Sequence, residues 1–421
     1  MEPTIEEKGS TYIVRWDSLD LKMIVRHIKP KGFKAEVATI LNGHPVHRSN
    51  PTLDSASGMD GFARKLNKRR PKEDYSIDWE GIVEDLSGIV IDTHRKGESE
   101  ITLADVPVDE KIRWRVDNLL VESDISLLWA DGGTGKSFFA LFLGTLIQQG
   151  YMSSEHGLIV EPGNVLFLDY ETSATEIAVR AKLIQTGLNI DTPDATKTSS
   201  KIIYRRCDQP FAEEVDRIRD IIHNHSIDVV IIDSMGMAVG GDIQDAFEIT
   251  HFFRELRKLK KTVLVISHAN RQGTFFGSAY TYNSSRLVWE AKRSGSNETG
   301  MDFSLFCRKA NNVSMQPPQS WSVEFKDNTA VVYTRGDVFA TDTAGELSYR
   351  DLVYRILSEE GGKTKEYIKE SIKAIKGDPP ERIDRNVDVA ISKHKAAEKI
   401  VETDGIFTIR KSESKEEWKQ I

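Results

Sequence analysis

Residues 129–137, which read WADGGTGKS, constrain the fold of this chain more than any other stretch. The seven residues 124–130 (DISLLWA) form a short apolar run typical of a buried strand, and residues 137–150 (SFFALFLGTLIQQG) are typical of an apolar helix. A strand, a glycine-rich loop and a helix in this order can hold phosphate, because backbone N–H groups converge on the anion at the positive end of the helix. The stretch therefore predicts a nucleotide-binding α/β domain.

The loop departs from the usual pattern G-x-x-x-x-G-K-[ST] at its first position, where Ala130 stands. That position starts the turn after the strand and needs a small side chain, which alanine supplies. We expect Lys136 to reach the β- and γ-phosphates and Ser137 to ligate magnesium, so ATP and Mg²⁺ are the predicted cofactors. The predicted nucleotide-binding residues are Asp131, Gly132, Gly133, Thr134, Gly135, Lys136, Ser137 and Phe138.

Acidic residues at two other strand ends indicate which kind of NTPase this is. The apolar run 227–234 (IDVVIIDS) ends in Asp233, which suits the aspartate that holds the magnesium shell together with Ser137. The next residue is Ser234, where many motor ATPases have a catalytic glutamate. Glu171 follows another apolar run, and the carboxyl ends of parallel strands share one crevice, so Glu171 is the predicted water-activating base. The alternative is an ordinary helix-capping acid.

A third strand-like run, TVLVISH, ends in His268. A polar side chain there can contact the γ-phosphate and pass its presence to the following loop, so His268 is a predicted sensor. A structural histidine is the alternative. The predicted catalytic set is thus Lys136, Glu171, Asp233 and His268.

The chain has 421 residues, too many for one compact core, and three patterns follow one another along it. Residues 1–100 predict a small α/β domain, with strands within 11–41 and helices at 55–68 and 78–91. Residues 105–337 predict a mostly parallel α/β sheet, to whose edge four shorter runs, the first at 285–293, add as antiparallel strands. Residues 345–412 predict three helices and a hairpin with Asp404-Gly405 at its turn, which is a winged-helix arrangement.

Composition narrows the compartment and the partners. The formal charge of −8 gives no overall basic character, so any contact with nucleic acid must come from local basic patches. The two cysteines, Cys207 and Cys307, form no C-x-x-C pair, and the N-terminus is too polar for a signal peptide. With no run of about 18 apolar residues, a membrane span is not expected. We expect a reducing cytosol as the compartment.

The motifs ADGGTGKS, FLDYE, VVIIDS and VISHANRQGTFFGS, in this order, resemble the RecA-like ATPase core that DnaB-type ring helicases share. They are most similar to the branch typified by the hexameric plasmid helicase RepA and related phage proteins, over roughly residues 105–335. The resemblance implies the same roles for Lys136, Ser137, Glu171, Asp233 and His268, with Ala130 as the departure from the pattern. It also implies a ring or a filament in which a neighbouring subunit inserts a basic residue at the γ-phosphate. The candidates are Arg308 and Lys309, with Arg286 and Arg293 as rivals, and plain surface charge is the alternative for each.

RecA-like motors hold single strands with two loops, which follow the strands ending at Asp233 and His268. The second loop combines cations and aromatic residues, a chemistry suited to single-stranded DNA. Its predicted nucleic-acid residues are Arg271, Gln272, Phe275 and Phe276. The alternative for the phenylalanines is packing under the core or against a neighbouring subunit. The winged helix is a second candidate contact, for DNA or for protein.

The resulting hypothesis is an ATP-dependent, ring-forming helicase or translocase on single-stranded DNA, with a hexamer and replication proteins as expected partners and no membrane partner. Two rivals stay open. One is a filament-forming recombinase or accessory ATPase with the same core. The other is a regulatory ATP switch whose winged helix binds a promoter or a partner protein.

Overall fold

The computed structural model describes residues 2–8, 10–29, 31–69, 77–96, 101–106, 112–150, 158–190, 197–270, 275–294, 299–326, 328–336, 338 and 343–410. Within these ranges the chain forms one five-stranded sheet, one nine-stranded sheet, one three-stranded sheet and a short two-stranded ribbon. Among the helices of the described ranges, none is both long and apolar enough to cross a membrane.

The N-terminal unit is an antiparallel meander whose strands pair in chain order. Its elements are β1 (Thr4–Lys8), β2 (Thr11–Trp16), β3 (Leu21–Lys29), β4 (Lys34–Leu41), β5 (His44–Ser49), α1 (Ala56–Arg69) and α2 (Trp79–Lys96). Alternate residues such as Val14, Met23 and Val37 are fully buried in one hydrophobic cluster with Phe62 of α1 and Leu86 of α2. The strands predicted within 11–41 are present. The strands β1 and β5 were not predicted, because they are polar and lack the alternation of apolar and polar residues that indicates a strand.

The large sheet has the order β10-β9-β11-β12-β8-β13-β14-β15-β16, and its strands are parallel from β10 to β13. Its strands are β8 (Ile125–Ala130), β9 (Asn164–Asp169), β10 (Ile203–Arg206), β11 (Ile227–Asp233), β12 (Thr262–His268), β13 (Leu287–Arg293), β14 (Gly300–Ala310), β15 (Gln319–Lys326) and β16 (Thr329–Gly336). The ribbon β6 (Trp114–Val116) and β7 (Leu120–Val121) precedes it. This architecture is an α/β fold with a mostly parallel sheet, and it fits a P-loop NTPase core.

Helices cover both faces of this sheet, which explains why the central strands are continuous apolar runs. One hydrophobic cluster joins the sheet to α3 and α4, and a second joins the other face to α5, α6 and α7. The helices of this part are α3 (Lys136–Gln149), α4 (Ala174–Gly187), α5 (Phe211–Asn224), α6 (Met235–Val239), α7 (Ala246–Arg257) and α8 (Ala279–Ser284).

The prediction for residues 285–293 was wrong. We expected an antiparallel edge strand, but β13 pairs with β8 in parallel, with Leu287 opposite Ser126 and Glu290 opposite Trp129. The chain leaves β12 at the carboxyl edge of the sheet and re-enters it at the amino edge, where the Arg286 N–H donates to the Ile125 carbonyl at 2.9 Å. The other three runs form β14, β15 and β16, which are antiparallel as predicted.

The C-terminal unit comprises three helices and a small sheet of order β17-β19-β18. Its elements are α9 (Tyr349–Leu357), β17 (Lys363–Thr364), α10 (Lys365–Lys376), α11 (Pro380–Ala396), β18 (Ile400–Thr403) and β19 (Ile406–Ile409). Asp404 and Gly405 have φ values of 51° and 76°, as a two-residue hairpin turn requires. Phe306 of β14 belongs to the hydrophobic cluster of this unit, so the unit packs against the large sheet.

Candidate active site

The glycine-rich loop between β8 and α3 closes on itself through its lysine. Gly133 and Gly135 have φ values of 71° and 94°, a left-handed backbone that favours glycine. The Thr134 hydroxyl donates to the Asp131 carbonyl at 2.9 Å, and Nζ of Lys136 donates to the carbonyls of Ala130 and Asp131 at 2.9 and 2.7 Å. Burial lowers the pKa of Lys136. The loop thus lies between a buried strand and a helix, as the sequence predicted, and phosphate binding by it stays a prediction.

Ala130 contributes to the loop through its backbone. Its side chain is 1% exposed and belongs to the core cluster, while its carbonyl also accepts a hydrogen bond from the Ala269 N–H at 2.9 Å. A glycine is therefore not required at this position. The same carbonyl links the phosphate loop to the residue that follows His268.

Ser137 and Asp233 meet at the foot of the loop. Asp233 is 2% exposed, and the Ser137 hydroxyl hydrogen-bonds its carboxylate. Burial, together with the charges of Glu171 and Asp169, raises the pKa of Asp233 to about 6, although the hydrogen bond from Ser137 opposes the rise. Among the described residues, Oδ1 of Asp233 has no hydrogen-bond partner. A buried carboxylate oxygen without a partner, beside a hydroxyl, fits the oxygen ligands of Mg²⁺, so Ser137 and Asp233 would hold this ion and its water shell.

Glu171 lies across the crevice from the loop, two residues beyond the end of β9. Its Oε1 accepts a hydrogen bond from the Ser234 hydroxyl and lies 3.1 Å from Nε2 of His268. The hydrogen bond to His268 lowers the pKa of Glu171 to about 2, with further contributions from Ser234 and from the charge of Lys136. The cap of α4 is Ser173, whose side chain accepts from the Glu176 N–H. Glu171 is therefore an ionised carboxylate facing the phosphate loop, and it does not cap the helix.

Asp169 positions Glu171, and the sequence reasoning missed it. Its Oδ1 accepts the backbone N–H groups of Glu171 and Thr172, both at 2.9 Å, and its Oδ2 accepts the hydroxyls of Thr172 and Tyr204. Burial alone would raise the pKa of Asp169, but these hydrogen bonds outweigh it and the pKa lies below its usual value. The spacing Asp-x-Glu-Thr after a strand is the signal of a side-chain turn and could have identified this residue.

These residues border a cavity of about 400 Å³ at the carboxyl edge of the sheet. The phosphate loop, Glu171 and His268 lie on one side of it. Residues from α4, β14 and β15, none of which the sequence singled out, complete the wall. The lining residues are Gly133, Gly135, Lys136, Ser137, Phe138, Glu171, Arg180, Leu183, His268, Met301 and Phe325.

Two of the four candidate trans-acting cations, Lys309 and Arg308, are engaged within the subunit. Nζ of Lys309 donates to the carbonyls of Tyr282, Asn283 and Ser285 at 2.7 to 2.9 Å, which closes the end of α8. Arg308 pairs with Glu290 and Glu346.

Arg286 is exposed and lies 3.6 Å from Asp124 at the amino edge of the sheet, whereas Arg293 ends β13 and is also exposed. Of the four cations, Arg286 and Arg293 are thus more accessible to a neighbouring subunit than Lys309.

Two of the predicted nucleic-acid residues, Arg271 and Gln272, lie outside the described residues. Phe275 is half-buried and meets the ring of Trp129 edge to face, with 5.6 Å between ring centroids, and Ala269 and Phe275 form a β-bridge. Phe276 is also half-buried. The packing of Phe275 favours the alternative in which this ring anchors the loop to the core.

Three exposed side chains with apolar area lie near the two loops. They are Met237, 62% exposed, Phe247, 73% exposed, and Tyr280, 52% exposed. Tyr280 belongs to the loop that the sequence predicted to bind nucleic acid, whereas Met237 and Phe247 were not singled out. The Ser278 N–H donates to the Ile243 carbonyl at 2.9 Å, which ties the loop after β12 to the loop after β11. Spacing could not have revealed this exposure, because the same residue types are equally common in a core.

Residues 99–274 match a family model described as an AAA domain. The matched range contains the phosphate loop, Glu171, Asp233 and His268. A comparison with the curated proteins found no match. Together with the geometry of the site, the family match supports a P-loop ATPase, which implies nucleotide binding and usually Mg²⁺.

Proposed function

We propose that this protein is an ATP-driven motor that assembles as a ring, hydrolyses ATP between subunits and moves along single-stranded DNA as a helicase or translocase. One observation carries the proposal. The predicted base Glu171 is hydrogen-bonded to His268, the last residue of the strand that leads into the candidate DNA loop.

Within one subunit, each residue has a chemical role in hydrolysis. Lys136 and the backbone N–H groups of the loop bind the phosphates, and Ser137 and Asp233 would hold Mg²⁺, whose charge offsets that of the phosphate oxygens. Glu171 accepts a proton from a water molecule. The oxygen of this water attacks the γ-phosphorus as the bond between that phosphorus and the leaving ADP oxygen breaks. His268 and Ser234 orient the carboxylate.

Loss of the γ-phosphate changes what Glu171 and His268 can bind, and this change reaches the loop through the backbone. Ala269 follows His268 directly, hydrogen-bonds Ala130 and pairs with Phe275. The Ser278–Ile243 hydrogen bond then connects this loop to the one after Asp233. A shift of His268 would therefore move both loops together.

The surface of the two loops suits single-stranded nucleic acid. Met237, Phe247 and Tyr280 expose apolar area on which bases can stack, and stacking needs no particular base sequence. Arg271 and Gln272 are the proposed phosphate contacts of the same loop.

Assembly and the flanking units complete the proposal. A hexameric ring places a cation of one subunit at the ATP of the next, with Arg308, Lys309, Arg286 and Arg293 as candidates. The C-terminal unit has the three helices and the hairpin of a winged helix, which would bind DNA or a replication protein. The proposed compartment is the cytoplasm of a bacterium or of a phage-infected host.

Lys136→Ala tests the shared core of the proposal, because ATP turnover by this variant would contradict it. Unwinding of a forked duplex, with rings in electron micrographs, would support the helicase. Stoichiometric coating of DNA in filaments without unwinding would favour a recombinase-type protein. Single-strand binding that Arg271→Ala leaves unchanged would favour a regulatory ATP switch, whereas Phe275→Ala tests the anchoring of the loop to Trp129.

A further inference from the structure

The cavity in front of the phosphate loop has two chemically different ends. Lys136, Ser137, Glu171 and His268 make one end polar and charged. The other end is formed by side chains from α3, α4, β14 and β15, namely Phe138, Arg180, Leu183, Met301 and Phe325. We call this second group the apolar end.

Aromatic packing shapes the apolar end. Phe138 is 6% exposed and meets the ring of Phe325 edge to face, with 5.4 Å between centroids and an interplanar angle of 79°. Phe325 itself is 37% exposed, so its ring still offers surface to a ligand. Arg180 and Leu183 are three residues apart on α4 and therefore share one face of that helix.

The two ends are contiguous, because Met301 borders the phosphate loop directly. Its sulfur lies 3.1 Å from the position that a Cβ on Gly135 would occupy. A ligand with phosphates on the loop therefore continues past Met301 toward Phe325. A triphosphate joined to a flat apolar ring system has this shape, and the volume of about 400 Å³ is in the range of small-ligand sites.

We propose that the apolar end is a nucleobase site that holds the base by packing and discriminates little between adenine and guanine, so that the substrate class is purine nucleoside triphosphates in general. This inference rests on the proposed ATPase function. Strong discrimination between bases requires donors and acceptors that match the base edge, since an unmatched buried polar group is what rejects the wrong ligand. Among the described residues of the apolar end, only Arg180 has a polar side chain, and a guanidinium donates but cannot accept.

The amino groups that distinguish adenine from guanine thus meet no side-chain acceptor at this end in the described part of the chain. Arg180 can donate to a ring nitrogen of either base, and it also pairs with Glu176 one turn earlier on α4. Stacking on Phe325 and contact with Leu183 and Met301 depend on the flat apolar face, which both bases present.

Calorimetric titration of the full chain with ADP, GDP and inorganic tripolyphosphate, each with Mg²⁺, tests the proposal. The expected result is that ADP and GDP bind the unmodified protein within about tenfold of each other. Phe325→Ala should weaken both by about tenfold, a typical effect of one lost stacking contact, and leave tripolyphosphate binding unchanged. Val331→Ala, at an exposed position of the neighbouring strand β16, is the matched control and should change none of the three.

Three results would overturn the base site: a preference for ADP over GDP of more than about a hundredfold, ADP binding that Phe325→Ala leaves unchanged, or an equal loss of ADP and tripolyphosphate binding. Leu183→Ala provides a second variant, which should likewise weaken binding of ADP and GDP and leave binding of tripolyphosphate unchanged. If the unmodified protein binds neither nucleotides nor tripolyphosphate, the ATPase proposal itself fails. If ADP and GDP bind no more tightly than tripolyphosphate, only the proposed nucleobase site is contradicted.

Discussion

Glu171 and His268 are 97 residues apart in the chain, yet Oε1 of the carboxylate lies 3.1 Å from Nε2 of the ring. The two residues extend from β9 and β12, and β11 with Asp233 lies between these strands. The predicted base, the predicted metal ligand and the predicted sensor are thus brought together by strand order alone. His268 is the principal cause of the low pKa of Glu171, so the histidine stabilises the ionised form of the carboxylate.

Glu171→Gln should abolish hydrolysis and retain nucleotide binding. Glutamine can accept a hydrogen bond from Ser234 but cannot take a proton from water, and loss of a general base typically costs about 10²- to 10⁴-fold in kcat. Phosphate release and ADP titration measure the two effects separately. Glu213→Gln, at an exposed position in the first turn of α5, is the control. Undiminished turnover by Glu171→Gln would place the base elsewhere.

Asp233→Asn should abolish hydrolysis and stabilise the nucleotide-free protein above pH 6. The pKa of Asp233 rises from 3.8 to about 6 on folding, so the folded state binds its proton more tightly and stability falls as the pH rises between these values. Above pH 6 the buried charge of Asp233 lowers the free energy of unfolding by its full amount, on the order of 3 kcal/mol for a pKa shift of this size.

Urea unfolding at about pH 4 and pH 7.5 checks this expectation. The asparagine variant should gain stability relative to the unmodified protein at the higher pH and gain little at the lower one. A gain that is equal at both pH values would show that removal of the buried charge is not its cause.

The sequence alone was sufficient for the parallel strands other than β13 and for the residues at the carboxyl ends of β9, β11 and β12. Strands β8, β9, β11 and β12 are buried on both faces, so they read as continuous apolar runs, and the parallel arrangement then places Glu171, Asp233 and His268 at one edge. This inference needs only local patterns and one topological rule. The domain boundaries at 1–100, 105–337 and 345–412 stay predictions.

The direction of β13 and the far wall of the cavity could not be predicted in this way. The direction of β13 depends on where the chain re-enters the sheet, which the contact of Arg286 with Ile125 decides. Met301 and Phe325 reach the cavity from strands that lie far beyond the phosphate loop in the chain. Neither contact leaves a trace in residue spacing, since both depend on how the sheet continues past β8.

Arg308→Met should destabilise the protein by about 1 to 3 kcal/mol, because it removes the principal partner of a buried carboxylate. The side chain of Glu290 is 7% exposed, and among the described residues Lys292, at 3.6 Å, is the ion-pair partner that would be left after the substitution. Arg286→Met should cost less than about 1 kcal/mol, since its pair with Asp124 is exposed.

Chemical unfolding compares the two arginine variants. Equal stability losses would contradict the asymmetry. A separate prediction concerns the basic residue that a neighbouring subunit is proposed to insert at the γ-phosphate. In assemblies that mix unmodified subunits with subunits lacking this residue, ATP turnover should fall by more than the fraction of variant subunits.

His394→Gln should make the C-terminal unit less sensitive to acid. His394 is 3% exposed and its Nε2 lies 2.8 Å from the carbonyl of Arg350. Burial lowers the pKa of His394, and the charges of Arg350 and Lys399 lower it further, against the opposing effects of the hydrogen bond to the Arg350 carbonyl and of the charge of Asp351. Below about pH 6.5 the unfolded chain therefore takes up a proton that the folded unit resists, and stability falls.

Hydrogen-exchange protection of α9 and α11, corrected for intrinsic rates at pH 7 and pH 5.5, measures the acid effect. The unmodified protein should lose protection at the lower pH, and the glutamine variant, which still donates to Arg350, should lose less. His44→Gln, at an exposed position of β5, is the control. Equal losses in all three proteins would assign the acid sensitivity to other groups.

Tyr280→Ala and Phe247→Ala should each weaken binding of single-stranded DNA without lowering basal ATP turnover. Loss of one stacking aromatic side chain typically costs about 1 to 3 kcal/mol per base. Because neither substitution removes a charge, the dependence of affinity on salt should keep its slope, whereas Arg271→Ala should reduce it. Anisotropy of a labelled oligothymidylate at several salt concentrations separates these effects.

Tyr367→Ala, at a position 48% exposed on α10, is the matched aromatic control and should leave DNA binding unchanged if the two loops, and not the C-terminal unit, hold the strand. If bases stack on the two loops, Tyr280→Ala and Phe247→Ala should weaken DNA binding and Tyr367→Ala should not. If DNA binds the C-terminal unit, the opposite result is expected. Weaker binding by Tyr367→Ala, with normal binding by both loop variants, would place the DNA on the C-terminal unit. The Ser278–Ile243 hydrogen bond would in that case connect two loops that do not bind the strand, and the proposed coupling of His268 to DNA movement would lose its physical basis.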